Sequence, residues 1–313
     1  MTTDQRFVES PPLQGIVAAC LTPFTADGEV DLPAMERQIE FVVGDADAIA
    51  IAAVEASEHS MLDARERRLV LREGARMVAG RKPLILGASS PRVATVAELA
   101  ELAVTEGADY IQVLAPRRPW GGEPEPSELL GYFQAVQSVS PLPIVAYHNP
   151  SCGADPSVET WGRLSELPAI QGIKESSRDI SKIGRMIETV QATGNVAYLT
   201  TMQPLLTTLA LGGAGGAMPP PGTRIGALVK NAIEAGDLDT ARDWQRVFNT
   251  FPALWSAYGL PPVMKSAMRH FGVDLGEPRK PYLSVTDQDH IRIGEFLRSA
   301  GVIDSGEHHP EHQ

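Results

Sequence analysis

Two residues with chemistry of their own stand at the ends of apolar runs. Lys174 closes Ala169-Ile170-Gln171-Gly172-Ile173-Lys174, and Tyr147 closes Pro143-Ile144-Val145-Ala146-Tyr147. An amine walled by apolar groups loses the hydration that stabilises its ammonium. Its pKa falls, and the neutral form can then add to a ketone to make a Schiff base. A phenol one strand away can carry protons to and from the carbinolamine and the reacting carbon. Each residue also has a plain structural reading: a strand-end lysine snorkels to solvent, and a strand-end tyrosine caps a core. Glu55, in Val54-Glu55-Ala56-Ser57-Glu58, is either a second acid/base or an exposed loop acid.

The elements that must position these groups alternate along the chain. Short apolar runs of strand type lie at 15–20, 48–53, 83–87, 110–114, 143–147, 170–174, 196–200 and 215–218. Helical patterns fall between them, at 64–79, 92–106, 127–139, 158–166 and 180–193. Strands separated by helices in this number predict an α/β fold, a (β/α)₈ TIM barrel. A doubly wound nucleotide fold is disfavoured, because the first run passes straight into Leu21-Thr22-Pro23 with no Gly-x-Gly-x-x-Gly. Further helical patterns at 227–234, 238–251, 263–271 and 287–300 predict a C-terminal helical appendage. The expected division is a barrel over 12–236, a helical region over 237–302 and a disordered tail over 303–313. In a barrel, chemistry sits at the C-terminal ends of the strands. That rule selects Thr22, Glu55, Ser57, Arg117, Tyr147, Lys174 and Met218 among others.

Composition narrows the partners. The 313 residues are 43% hydrophobic and 21% charged, ordinary for a soluble globule with a full core. A net charge of −12 repels nucleic acid and anionic membranes, so neither is an expected partner, and an acidic substrate needs a locally built site. Cys20 and Cys152 give no disulfide framework and no metal-ligand spacing. The polar N-terminus lacks a signal core and no apolar run reaches membrane length, so a reducing cytoplasm is expected.

Several motifs, in order, carry a resemblance. They are Gly15-x-x-x-Ala19-x-x-Thr22-Pro23-Phe24, Glu58-x-x-x-Leu62 with Glu66-Arg67, and Gly107-Ala108-Asp109. Leu142-Pro143-Ile144-x-x-Tyr147-x-x-Pro150, Gly172-Ile173-Lys174-Glu175-Ser176-Ser177 and Gly213-Ala214-Gly215-Gly216 follow. From about Gly15 to Tyr282 the chain resembles the dihydrodipicolinate synthase / N-acetylneuraminate lyase family. The resemblance implies that Lys174 is the Schiff-base lysine and Tyr147 the proton-shuttling tyrosine. It implies pyruvate or a 2-keto acid as the small-molecule substrate, no metal or organic cofactor, and a homo-oligomer of two or four chains.

The departures are as informative. The family's Gly-Thr-Thr-Gly-Glu loop reads Val54-Glu55-Ala56-Ser57-Glu58, so both relay threonines are gone. Ala56 cannot hold a carboxylate by its side chain, whereas Ser57 can through its hydroxyl and the loop N–H groups. Glu55 becomes the candidate for protonating a leaving hydroxyl. The family's paired tyrosines are replaced by Pro116-Arg117-Arg118-Pro119-Trp120, where Arg117 can take a second carboxylate bidentately. His148 points to the opposite side of its strand by alternation. With Thr22, Ala217 and Met218 completing the expected substrate site, the pattern resembles the 2-keto-3-deoxy-sugar-acid dehydratase and aldolase branches.

Four other readings compete. One is true dihydrodipicolinate synthase activity. A phosphate site at Gly212–Gly216 is opposed by Pro219-Pro220-Pro221, which removes backbone donors. A metal set from Glu55, Glu58 and His59 has the residue types but a structural role for Glu58 against it. A barrel that binds a 2-keto acid without turning it over is the non-enzymatic reading.

Overall fold

The computed structural model describes residues 9–192 and 196–304. Its strands are β1 (Gly15–Ala19), β2 (Ala48–Ile51), β3 (Leu84–Gly87), β4 (Tyr110–Leu114), β5 (Ile144–His148), β6 (Ile170–Glu175), β7 (Ala197–Thr200) and β8 (Gly215–Met218). They pair in parallel in chain order and close into a barrel, β8 returning onto β1 with Val17 beside Ala217. The eight runs read from the sequence match these strands to within two residues.

Alternation sorts the strand residues into two cores. Val17, Ala50, Ile85, Tyr110, Val145 and Leu199 fill the barrel interior, with Leu13 plugging it from the N-terminal side. Ile49, Leu86, Ile111, Ala146 and Ile173 face outward under the helices. One irregularity sets the site. Ile144 pairs with Ile170 but Val145 pairs with Gly172, so Gln171 is an extra residue bulged out of β6. Beyond that bulge Tyr147 stands beside Lys174, and His148 beside Glu175.

Helices α1 (Leu32–Val43), α2 (Ala64–Val78), α3 (Val93–Thr105), α4 (Pro126–Val139), α5 (Val158–Ser165), α6 (Ile180–Met186), α7 (Leu205–Ala210) and α8 (Gly222–Glu234) alternate with the strands. Two of them, α1 and α7, lie where the sequence pattern indicated no helix. For α1 the start signal is present: Asp31 caps Ala34 N at 3.0 Å and Pro33 lies in the first turn. For α7 it is faint, since six residues including Thr207 and Thr208 carry little helix propensity. Helix α8 starts five residues earlier than its pattern, because Gly222 and Gly226 read as breakers. Their role is close packing: a Cβ on Gly226 would sit 2.7 Å from Met218 Sδ.

The appendage consists of α9 (Leu238–Thr250), α10 (Leu260–Arg269) and α11 (Asp287–Ser299). Phe248, Phe251, Trp255, Met264 and Leu297 form its core with Ile16 and Met218 of the barrel wall. Ile303 packs half-buried against this core. Of the tail expected over 303–313, the part from residue 305 lies outside the described residues. No described helix is long and apolar enough to cross a membrane.

Candidate active site

The bulged pairing of β5 and β6 puts two reactive groups side by side on the inner face at the C-terminal rim. Lys174 is 5% exposed and its Nζ lies 4.4 Å from the centre of the Tyr147 ring. The amine donates to Ser176 Oγ. Burial holds this lysine well below its ordinary value, at about 8; Glu55 opposes the shift and Arg178 adds to it. About a tenth of the amine is therefore neutral at pH 7, far more than for an ordinary lysine.

Tyr147 is 2% exposed, and burial followed by the charge and hydrogen bond of Glu55 holds its phenol well above the usual range. It stays protonated and donates to Glu55 Oε2. Asn149 Nδ2 donates to the same Glu55 Oε2 at 3.0 Å and to Tyr147 Oη at 3.0 Å, locking the pair. Burial pushes the Glu55 carboxyl up, but the Cys152 thiol lying beside it and the hydrogen bond from Tyr147, with the nearby Lys174 charge, bring it below its ordinary value. Glu55 is thus ionised at rest, and its Oε1 is buried without a partner. A buried acceptor without a donor is a standing demand for one.

The loop that delivers Glu55 is held from several sides. Ala52 leaves β2 with a left-handed backbone (φ 49°), and its carbonyl turns toward Gly87, where a Cβ would be 1.8 Å away. Gln112 Nε2 donates to Ala53 O at 2.7 Å. A 3₁₀ turn over Glu55–Ser57 follows. Glu58, also left-handed, sends its carboxylate to the buried ammonium of Lys265 on α10 at 2.6 Å. Arg279 donates from its backbone N–H to Glu58 Oε2 at 3.3 Å and from its guanidinium to Met61 O at 2.7 Å.

This bracing corrects part of the expected substrate set. Ser57 sends its hydroxyl to Val54 O at 2.5 Å and its N–H to the same oxygen at 3.0 Å, so neither is free for a carboxylate. Thr22 Oγ1 is committed to Ser57 O at 2.5 Å. Both residues hold the loop rather than offer donors. Met218 is turned away from the mouth: alternation aims it outward against Gly226 of α8. Ala217, its neighbour, lies on the inner face. Ala56 is buried beside Tyr147 in one apolar cluster. Arg117 is exposed, donates to Pro150 O at 2.6 Å and lies 3.5 Å from Glu123, while Arg118 pairs with Glu128 at 2.6 Å.

His148 and Glu175 occupy the outer face of the same strand pair. His148 Nδ1 meets Glu175 Oε1 at 3.0 Å, and Nε2 meets Asp155 Oδ1 at 2.8 Å. Tyr198 Oη and Ser177 N also donate to Glu175, at 3.0 and 2.6 Å, and Lys182 Nζ donates to Asp155 at 2.5 Å. Cys152 sits at the rim. Partial burial of its sulfur and the neighbouring Glu55 carboxylate hold the thiol above its ordinary range, which disfavours the thiolate.

The competing constellations come apart. Glu58 is bound to Lys265, His59 Nδ1 lies 3.1 Å from Val54 O, and Glu55 faces Tyr147, so these three do not converge. The glycines before β8 lie at the opposite end of the barrel. The N–H groups of Gly212, Gly213 and Ala214 are bonded to Leu209, Thr208 and Tyr198 carbonyls, leaving no cradle for phosphate. A cleft of about 770 Å³ also opens at that end, lined by Leu13, Gly15, Tyr110, Gln171, Ala214 and Lys230. Its lysine is tied to Asp47 at 2.8 Å, and it holds none of the strand-end groups.

Three residues at the mouth escaped the sequence reading: Asn149, Ser176 and Arg178. The first two lie inside the Tyr-x-x-Pro and Gly-Ile-Lys-Glu-Ser-Ser motifs, so their proximity to Tyr147 and Lys174 was the available signal. Arg178 had none, since nothing in the sequence marks its left-handed backbone.

A closed parallel barrel with a buried amine and a phenol at the carboxyl ends of adjacent strands has the groups that lyase chemistry on a ketone needs. Comparison with known proteins agrees. The profile of the Dihydrodipicolinate synthetase family matches residues 12–300. A 4-hydroxy-tetrahydrodipicolinate synthase of Exiguobacterium sibiricum is 30% identical over 93% of this chain and 99% of its own. A putative dihydrodipicolinate synthetase from Pseudomonas aeruginosa superposes with a TM-score of 0.84 at 26% identity, covering 92% and 99% of the two chains. N-acetylneuraminate lyase from Mycoplasma synoviae shares the fold, with a TM-score of 0.81 at 23% identity over 93% and 98%. The chain belongs to the dihydrodipicolinate synthetase family and is a lyase.

Proposed function

We propose that Lys174 forms a Schiff base with the C2 carbonyl of pyruvate or a 2-keto-3-deoxy acid, leading to C3–C4 aldol cleavage or condensation, or to dehydration. The observation that carries this reading is the buried amine beside a neutral phenol that is itself bonded to an ionised carboxylate. The neutral amine attacks C2, and Tyr147 delivers the proton with which the carbinolamine oxygen leaves as water. The iminium then draws electron density from C3. In dehydration, Glu55 takes the C3 proton, the C3 electron pair expels the C4 hydroxyl, and Glu55 returns the proton to that oxygen. The resting carboxylate is therefore a base first and an acid second. Its unpartnered Oε1 is the oxygen available to the substrate hydroxyl.

The second reading is 4-hydroxy-tetrahydrodipicolinate synthase activity itself, favoured by the names of the curated relatives. Against it, Glu55 and Ala56 stand where the family carries relay threonines. Two free cysteines support a reducing cytoplasm. Membership of the family supports an assembly of two or four chains.

Trapping with pyruvate and cyanoborohydride tests the reading. The reduced adduct is expected on Lys174, with a rate that rises about tenfold per pH unit below about 8 and levels off above it, because only the neutral amine attacks. Absence of an adduct on any lysine rejects the proposal.

A further inference from the structure

We infer that Arg178 reads a second, distal carboxylate on the substrate, so that the preferred 2-keto acids are diacids; this rests on Lys174 being the Schiff-base lysine. Arg178 lies four residues beyond Lys174, where the chain leaves β6. Its backbone is left-handed (φ 62°), a conformation that a long side chain seldom adopts without a reason in the surroundings. The guanidinium is fixed at the mouth by two loops. Nε donates to Gln203 Oε1, on the loop after β7, at 2.9 Å, and Nη1 reaches Ser176 O at 3.4 Å. Ser176 is the residue whose hydroxyl accepts from the Lys174 amine, so the fork is one residue removed from the reacting nitrogen.

The fork is held but not neutralised. Neither anchor is charged, and among the described residues no carboxylate forms an ion pair with Arg178 and no group bonds its Nη2. The nearby arginines differ: Arg117 donates to Pro150 O and faces Glu123, and Arg118 is paired with Glu128. On a chain of net charge −12, a fixed guanidinium left open beside the nucleophile is a local anion receptor. Its planar fork matches a carboxylate bidentately. The C1 carboxylate of a bound keto acid is adjacent to the carbon joined to Lys174. The group that extends outward to the rim, where Arg178 lies exposed, is the far end of the chain.

Matched pairs test this. The half-saturating concentration for cyanoborohydride trapping is measured for 2-oxoglutarate against 2-oxopentanoate, and for 2-oxoadipate against 2-oxohexanoate. The wild type is expected to favour the diacid of at least one pair by about 10–100-fold, the worth of a charge-assisted hydrogen-bonded pair. Arg178→Ala is expected to bring that ratio to about one by weakening only the diacid, and Arg178→Lys to retain part of it. Any change in Lys174 basicity acts on both members of a pair and cancels. No preference in the wild type, or an equal loss for both members in Arg178→Ala, overturns the assignment. Pyruvate trapping on each variant reports folding and the nucleophile separately. If pyruvate fails on the wild type, the Schiff-base reading falls and this inference with it; if pyruvate traps and the ratio is absent, only the Arg178 assignment falls.

Discussion

Tyr147 and His148 are consecutive, as are Lys174 and Glu175, and each pair stands side by side across β5 and β6. On the inner face, the groups are left wanting. The amine is walled off from water and Glu55 Oε1 has no donor. On the outer face, His148 bonds through both ring nitrogens, and Glu175, 0% exposed, takes donors from His148, Ser177 and Tyr198. Strand alternation lets one pair of strands do two opposite things. One side keeps an amine out of water and one carboxylate oxygen without a donor, and the other gives both ring nitrogens of His148 and both oxygens of Glu175 a partner.

Replacing single residues on each side tests that contrast. The largest effect belongs to the inner face: Lys174→Ala should lower turnover by at least about 10⁴-fold, because no other group can form the imine. Steady-state rates on the best 2-keto acid check it, and rates within tenfold of wild type would remove Lys174 from the chemistry. Tyr147→Phe comes next, with a loss of about 10²–10⁴-fold in kcat and a smaller change in KM, since the phenol moves protons rather than holds substrate. On the outer face the currency changes from rate to stability. His148→Ala should cost about 1–3 kcal/mol in urea unfolding by removing one of three donors to the buried Glu175, while the folded protein still traps pyruvate at Lys174. A stable His148→Ala protein that no longer traps pyruvate would reverse the roles of the two faces.

The barrel was legible because buried parallel strands appear as short apolar runs, and because family motifs fix the ends of β5 and β6. The relation of the two faces followed from alternation alone. What alternation cannot supply is register. The Gln171 bulge, which sets Lys174 opposite Tyr147, leaves no mark in composition. Met218 shows the same rule neglected: as the neighbour of an inward Ala217 it had to face out. Ser57 and Thr22 failed as substrate donors for another reason. A hydroxyl is available only if no nearby carbonyl claims it, and the carbonyls of Val54 and Ser57 are brought to them by a turn that forms only in the folded loop.

The buried Lys265–Glu58 pair and the Arg279 contacts tie the loop after β2 to a segment more than 200 residues later. During synthesis the barrel strands emerge first, but the brace under Glu55 arrives only with the last sixth of the chain. A nascent or C-terminally clipped molecule has its nucleophile without a steadied partner carboxylate. The amine is thus encoded well before the segment that steadies its partner carboxylate, and the catalytic pair is complete only once Lys265 and Arg279 have docked.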